Sequence, residues 1–133
     1  MKWAYSDSLG VPELDERLSR AFERLAGIKE IREKGGSWSE VHAEIGALNA
    51  ELAFCFAVEE ALLRIHDCPD GERHREEHAE LLQDMRALER ATLTNGLTDK
   101  MIGTAYAAAV GHHLTQDRRH ARYLPGVKAS EHR

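Results

Sequence analysis

The chain has 133 residues, enough for a single domain (1–133) that buries its own core without disulfide bonds. Charged residues make up 31% and aromatic residues only 6%, a balance that favours amphipathic helices over sheets. The formal net charge of -5 argues against a general nucleic-acid-binding protein, and no run of Lys and Arg stands apart from acidic neighbours.

The compartment is predicted from the apolar runs and the cysteines. The N-terminal stretch MKWAYSDSLG lacks the apolar region of a signal peptide. The longest apolar run, residues 52–58, is shorter than the roughly 20 residues that cross a bilayer. Cys55 and Cys68 would lie more than about 12 Å apart at the helical rise, so both should be thiols. We therefore expect a soluble, cytoplasmic protein without a membrane partner.

Apolar spacing and end signals predict four helices, at about 12–34, 38–65, 70–94 and 98–122. Pro12 starts the first helix and Gly35-Gly36 follows its end, while Ser37 and Glu40 offer a capping box for the second. The apolar stripe of the first helix consists of Leu14, Leu18, Ala21, Phe22, Leu25, Ile28 and Ile31. With links of about two to six residues, we expect an all-α, antiparallel up-down-up-down four-helix bundle. The ten N-terminal residues would form an arm across it.

His74 and His78 are the first candidate metal ligands. They stand at i and i+4 in the third predicted helix, so both imidazoles project from one face and can reach a single ion. The surrounding sequence, ERHREEH, is polar, and the same spacing also occurs on solvated helix faces.

Glu59 lies in an apolar part of the second predicted helix, next to Glu60. A buried carboxylate is costly unless it pairs with a cation or binds a proton. Glu59 could therefore meet a metal ion or an Arg from another helix. Glu60 is one step round the helix and can point elsewhere.

The fourth predicted helix offers His112, His113 and Asp117. His113 and Asp117 have the plain i, i+4 relation, so periodicity alone favours His113. His112 and Asp117 are about 140° apart on a regular helix, and both can bind one centre only if they flank it or if a local bulge intervenes.

Several stretches together resemble the hemerythrin-like family, more specifically a single-domain bacteriohemerythrin. They follow the family order over nearly the whole chain, and the combination is more specific than any one motif. The stretches are Trp3, SLGVPELD at 8–15, FAVEE at 56–60, HREEH at 74–78, HHLTQD at 112–117, and Tyr123-Leu124.

The resemblance implies a four-helix bundle that holds two irons bridged by one Glu, one Asp and an oxygen species. Many members bind dioxygen reversibly. Carried over by position, it implies that His74, His78 and His112 are terminal ligands of one iron, with Glu59 and Asp117 as bridging carboxylates. It also favours His112 over His113, because the family places this His five residues before the Asp.

The chain departs from the family pattern at the other iron. In the family, two further His bind the other iron, which is the one with an open position for dioxygen. In this chain those two positions hold Leu18 and Cys55. Glu51, one turn before Cys55, stands where relatives often carry an aromatic residue. The five residues that match the pattern form a complete set for one iron.

Three outcomes remain open for the altered site. One iron could be held by three imidazoles and two carboxylates, with one open position and Leu18 as an apolar wall. Alternatively, Glu51, Cys55 or both could rebuild an asymmetric second site. In the third outcome Cys55 is a small buried residue and the site is inert. The partner of Glu51 discriminates among these three outcomes, since its carboxylate needs a metal, an Arg or water.

The expected function is a non-haem iron protein that binds or senses a small oxidant: dioxygen, peroxide or nitric oxide. Reversible dioxygen carriage draws one electron from each of two irons, so a single iron favours sensing, one-electron chemistry or metal storage. The alternatives are a diiron dioxygen carrier with a rebuilt second site, or a metal-poor interaction module. No dedicated general base or organic-substrate pocket is evident, so an enzyme is the weaker expectation.

Overall fold

The computed structural model describes residues 9, 11–94, 96–113 and 119. Within them the chain forms four α-helices, α1 (Pro12–Glu33), α2 (Trp38–Ile65), α3 (Gly71–Leu93) and α4 (Asp99–His112), and contains no strand. The all-α prediction of a four-helix bundle is confirmed. The first three helices begin and end within one residue of the predicted bounds. For the fourth helix, the predicted stretch 114–118 lies outside the described residues.

Local sequence signals account for the helix ends. The Ser37 side chain accepts a hydrogen bond from the Glu40 backbone N–H at 3.2 Å, and Thr98 accepts one from the Met101 N–H at 3.1 Å. Such N-caps satisfy backbone donors that have no partner inside the helix. Gly35 follows α1 with φ of +77°, a left-handed conformation that glycine adopts without a steric penalty.

The helices pack in a closed order, with α1 against α2, α2 against α3, α3 against α4, and α4 against α1. Every predicted member of the α1 apolar stripe is buried except Ile31, which is half-buried. The buried core is made of Leu, Ile, Phe, Ala and Met side chains from all four helices. This packing order brings the inner faces of α2, α3 and α4 together.

The second helix is less completely buried than its composition predicts. Leu52, Cys55, Phe56 and Leu63 are buried, whereas Phe54 is about half exposed at 46%. The C-terminal half of α2 is therefore buried on one face and not all round. By length and composition alone α2 could also cross a membrane, but core helices of soluble bundles meet the same test.

The predicted N-terminal arm, with Trp3, lies outside the described residues apart from Leu9. Leu9 is buried in the core cluster, and its backbone N–H donates a hydrogen bond to Asp15 Oδ1 at 2.7 Å. The chain just before α1 is thus attached to the first turn of that helix.

Candidate metal centre

Three buried imidazoles meet inside the bundle. His74 and His78 lie one turn apart on α3, and His112 lies at the end of α4. Their candidate ligand nitrogens all lie within 4.8 Å of one another. Three imidazoles that are almost fully shielded from water and converge in this way form a group that could hold a metal ion.

Glu59 of α2 adds a carboxylate to this group. Its Oε1 lies 3.7 Å from His74 Nε2 and 3.9 Å from His78 Nε2, and its side chain is only 1% exposed. Burial of a carboxylate among apolar side chains carries a large desolvation cost, which a cation offsets. The Glu59 carboxylate is thus within ion-pair distance of two imidazoles of α3.

The spacing of these atoms fits a single first-row metal ion after a small contraction. With ligand bonds of about 2.1 Å, two atoms on one ion lie roughly 3–4.2 Å apart, depending on geometry. The two Glu59–imidazole distances fall in that range, and the outer limit of 4.8 Å for the imidazoles exceeds it by less than 1 Å. Imidazole and carboxylate ligands suit Fe, Mn, Zn or Co.

Aromatic packing holds the imidazole rings in place. Phe56 of α2 stacks on His78 with ring centroids 3.9 Å apart and an angle of 3° between the ring planes. The same Phe56 ring meets His112 edge-on at 6.1 Å. The three imidazoles contact one another edge to face, with centroids 4.4 to 4.9 Å apart. Rings packed on several sides have few other rotamers available, so the ligand group is largely pre-organised.

Two further carboxylates contact the outer nitrogens of this group. Glu60 Oε2 lies 2.8 Å from His78 Nδ1, and Glu77 Oε2 lies 3.2 Å from His112 Nδ1. Sequence reasoning missed both, although each stands directly beside a predicted ligand in the chain. One residue corresponds to about 100° around a helix, so the neighbour of an inward-facing residue can point toward the adjacent helix.

Glu60 also lines a surface pocket of about 260 Å³ at the turn between α2 and α3. Across that pocket Arg75 forms an ion pair with Glu72. The hydrogen bond to Glu72 and then its charge raise the pKa of the Arg75 guanidinium, with a smaller contribution from Glu60. The outer edge of the site is therefore charged and open to solvent, while its centre is buried.

The structure separates His112 from His113. His112 joins His74 and His78, whereas His113 is fully buried and meets Phe22 of α1 edge-on at 5.4 Å. His113 follows α4 with α-helical backbone angles, and its backbone N–H donates to the carbonyls of Ala109 and Val110. Asp117, the fifth predicted ligand, lies outside the described residues.

The residues proposed for a second site, Glu51 and Cys55, are not members of the His74, His78 and His112 group. Glu51 Oε2 is 3.1 Å from Arg17 Nη1, and its other oxygen is 3.6 Å from Arg20. Cys55 and Leu18 are both fully buried in the core cluster. Cys55 and Cys68 are thiols, as expected from the sequence. In the described part of the chain, the only metal-competent cluster found is His74, His78 and His112.

Comparison of the chain with protein-family models, curated proteins and solved structures finds no match. The site therefore has to be interpreted from its own geometry.

Proposed function

We propose that this chain is a hemerythrin-like, antiparallel four-helix bundle with an N-terminal arm. In this proposal it is cytoplasmic, holds one iron and binds or senses a small oxidant. The observation that carries the proposal is the meeting of three buried imidazoles and one buried carboxylate, supplied by three helices, around a common point. Burial of four such groups together is costly unless a cation compensates them.

Each residue has a defined task in this proposal. The Nε2 atoms of His74 and His78 and the Oε1 atom of Glu59 face the common point, and the third imidazole, from His112, completes the ligand face. Asp117 is proposed as a fifth ligand on the strength of the sequence resemblance. Held by these residues, an iron ion would supply a redox-active Lewis acid for a small molecule.

The surroundings favour a small, apolar or weakly polar ligand. Phe56 covers one imidazole face, and the rest of the buried core consists mainly of Leu, Ile, Val, Ala, Phe and Met side chains. Exclusion of water strengthens the electrostatic interactions inside the site and limits competing reactions. Dioxygen, nitric oxide and peroxide are small enough for such a position, whereas an organic substrate would need a larger cavity.

A single iron is favoured over two by the contacts of Glu51. That carboxylate is paired with Arg17 and Arg20, so using it for a second metal would require breaking both contacts. A rebuilt diiron site that includes Cys55 remains the alternative within the same family.

Anaerobic loading with ferrous iron tests the proposal. After removal of excess metal, we expect one iron per chain by elemental analysis, and anomalous scattering at the iron edge should locate it between α2, α3 and α4. Titration with nitric oxide, followed by electron paramagnetic resonance, should then show stoichiometric binding to the ferrous protein.

Three results would change this conclusion. Two irons per chain with an oxo-bridge absorption band would support the diiron carrier. No retained metal of any kind would leave the metal-poor interaction module. Retained iron that does not respond to nitric oxide, dioxygen or peroxide would contradict the sensing function and favour metal storage.

A further inference from the structure

Two carboxylates outside the proposed ligand set contact its imidazoles at their Nδ1 atoms. Glu60 Oε2 lies within hydrogen-bond distance of His78 Nδ1, at 2.8 Å, and Glu77 Oε2 lies 3.2 Å from His112 Nδ1. His78 uses its other nitrogen, Nε2, to face Glu59. The outer carboxylate and the ligand centre thus lie on opposite sides of the His78 ring.

This arrangement determines which imidazole nitrogen can bind a metal. A neutral imidazole carries its proton on one nitrogen and a lone pair on the other. A carboxylate can only accept a hydrogen bond, so it favours the tautomer with the proton on Nδ1 and leaves the Nε2 lone pair for the ion. The same bond restricts rotation of the ring.

Each of the two carboxylates stands next in sequence to a residue that faces the centre. Glu60 follows Glu59 on α2, and Glu77 precedes His78 on α3. In both helices one residue faces the centre, and its neighbour in sequence reaches the imidazole on the next helix. A carboxylate of α2 therefore supports a ligand of α3, and a carboxylate of α3 supports a ligand of α4.

Their burial makes these contacts stronger than ordinary surface pairs. The side chains of Glu60 and Glu77 are 22% and 27% exposed, and the imidazoles that they contact are almost completely buried. Glu77 also approaches Arg73, but at 3.9 Å, and the Arg73 side chain is 82% exposed. Glu77 is therefore held mainly by the imidazole.

We infer that Glu60 and Glu77 are positioning residues that orient His78 and His112 for metal binding. This inference rests on the proposed function, because it assigns these carboxylates a role toward the proposed metal. It makes the site a six-residue unit within the described chain, with four residues facing the centre and two behind them.

Metal competition gives the first test. Co²⁺ affinity would be measured against a coloured chelator for the wild type, Glu60→Ala, Glu77→Ala and the control Glu80→Ala, which removes an exposed carboxylate from α3. We expect each of the first two variants to raise the Kd for Co²⁺ by about 10- to 100-fold and the control to leave it unchanged. Glu60→Gln and Glu77→Gln should restore part of the affinity, because an amide oxygen still accepts the Nδ1–H bond.

Nitrogen-15 NMR of the metal-free protein at alkaline pH gives a second, metal-independent test. His78 and His112 should carry their proton on Nδ1 in the wild type. Each should lose this preference when its own carboxylate is replaced by Ala and keep it in the Gln variant. If circular dichroism shows that an Ala variant does not fold, the position of the imidazole proton is read from the wild-type and Gln-variant spectra alone.

The two tests separate the possible failures. If the wild type binds no Co²⁺ but shows the expected tautomers, the proposed function fails while the orienting role of the carboxylates stands. If the wild type binds Co²⁺ and the Ala variants bind it equally well, the positioning role is overturned and the proposed function survives. Wild-type tautomers with the proton on Nε2 would also overturn the inference.

Discussion

Two neighbouring regions of the bundle interior differ sharply in chemistry. On the side of α3 and α4 lie His74, His78 and His112, together with the Glu59 carboxylate from α2. The neighbouring region contains the buried Leu18 of α1 and Cys55 of α2, and His113 packs against Phe22 of α1. The first region gathers three imidazoles close together beside a carboxylate, whereas the second holds one imidazole and one thiol among apolar side chains.

The difference shows how burial constrains a metal site. A divalent ion in a bundle interior loses its hydration, so protein ligands must replace the water oxygens. The region beside α1 offers one thiol, the Leu18 side chain and a single imidazole, His113. The nearby Glu51 carboxylate is directed toward Arg17 and Arg20. A second ion there would be poorly compensated, whereas the first region holds three imidazoles that could bind a metal ion, with the Glu59 carboxylate beside two of them.

The largest expected effect comes from removing ligands from the polar region. We expect His74→Ala combined with His78→Ala to abolish metal binding. Metal at a free concentration of 100 times its Kd stabilises a folded protein by about 2.7 kcal/mol, and this gain should disappear in the double variant. Thermal unfolding with and without Co²⁺ measures it as a shift in Tm.

His66→Ala is the matched control, because His66 is exposed just after the end of α2. It should retain the full metal-dependent shift in Tm. An unchanged shift in the double variant would show that the metal binds elsewhere, and the polar region would then be only a structural cluster.

The second effect comes from making the apolar region resemble the polar one. Leu18→His combined with Cys55→His should destabilise the metal-free protein by about 2–5 kcal/mol, since it places two imidazoles in a packed core. If the region beside α1 differs from its neighbour only in ligands, iron loading should rise from one to two per chain and recover part of the stability. Elemental analysis and urea unfolding check the two parts.

The single variants Leu18→His and Cys55→His provide the controls. Each adds one imidazole, which is too little for a closed second site, so each should destabilise the protein without raising the iron content. One iron per chain in a folded double variant would mean that the backbone, and not only the two side chains, prevents a second site.

The sequence predicted the helices better than it predicted the environment of the site. Periodicity and end signals such as Ser37 and Gly35 are local, and they placed three helices within one residue of the observed bounds. The choice between His112 and His113 was not local. It depends on the packing of α4 against α1 and α3, and periodicity favoured His113.

The supporting carboxylates were missed for a related reason. Glu60 and Glu77 occur in acidic stretches that also suit a solvated helix face, and their role depends on which helix lies next to them. For Glu51, composition left metal, Arg and water open, and the guanidinium groups of α1 are its described partners. The partners of these carboxylates lie on neighbouring helices, and residue spacing within one helix does not show which helix packs beside it.

A smaller effect is expected at the aromatic ring that covers the polar region. Phe56→Leu keeps an apolar side chain but removes the ring stacked 3.9 Å from His78. Loss of the stacking should cost about 0.5–1.5 kcal/mol of folding stability beyond the lost area. It should also weaken Co²⁺ binding, because His78 is held less firmly. Urea unfolding and chelator competition measure the two effects.

Phe54→Leu is the control for Phe56→Leu. Phe54 is half exposed, and its ring centroid lies 4.2 Å from the Cζ atom of Arg17 in α1. This variant should leave metal affinity unchanged. Equal Co²⁺ affinity in Phe56→Leu and Phe54→Leu would show that stacking contributes to packing alone and not to the orientation of the ligand.

The smallest effect is expected at Glu51. Glu51→Gln removes the charge that pairs with Arg17 and Arg20. Partly exposed pairs of this kind contribute about 0–1 kcal/mol, so the free energy of unfolding should fall by no more than that. Iron content and Co²⁺ affinity should not change, because the carboxylate is directed at arginines on the surface between α1 and α2.

Glu59→Gln is the contrasting variant, since it removes the buried charge that faces His74 and His78 and should weaken metal binding strongly. If Glu51→Gln lowered the iron content while Glu59→Gln did not, the metal would have to lie on the α1 side, and the difference between the two regions would be the reverse of the one proposed.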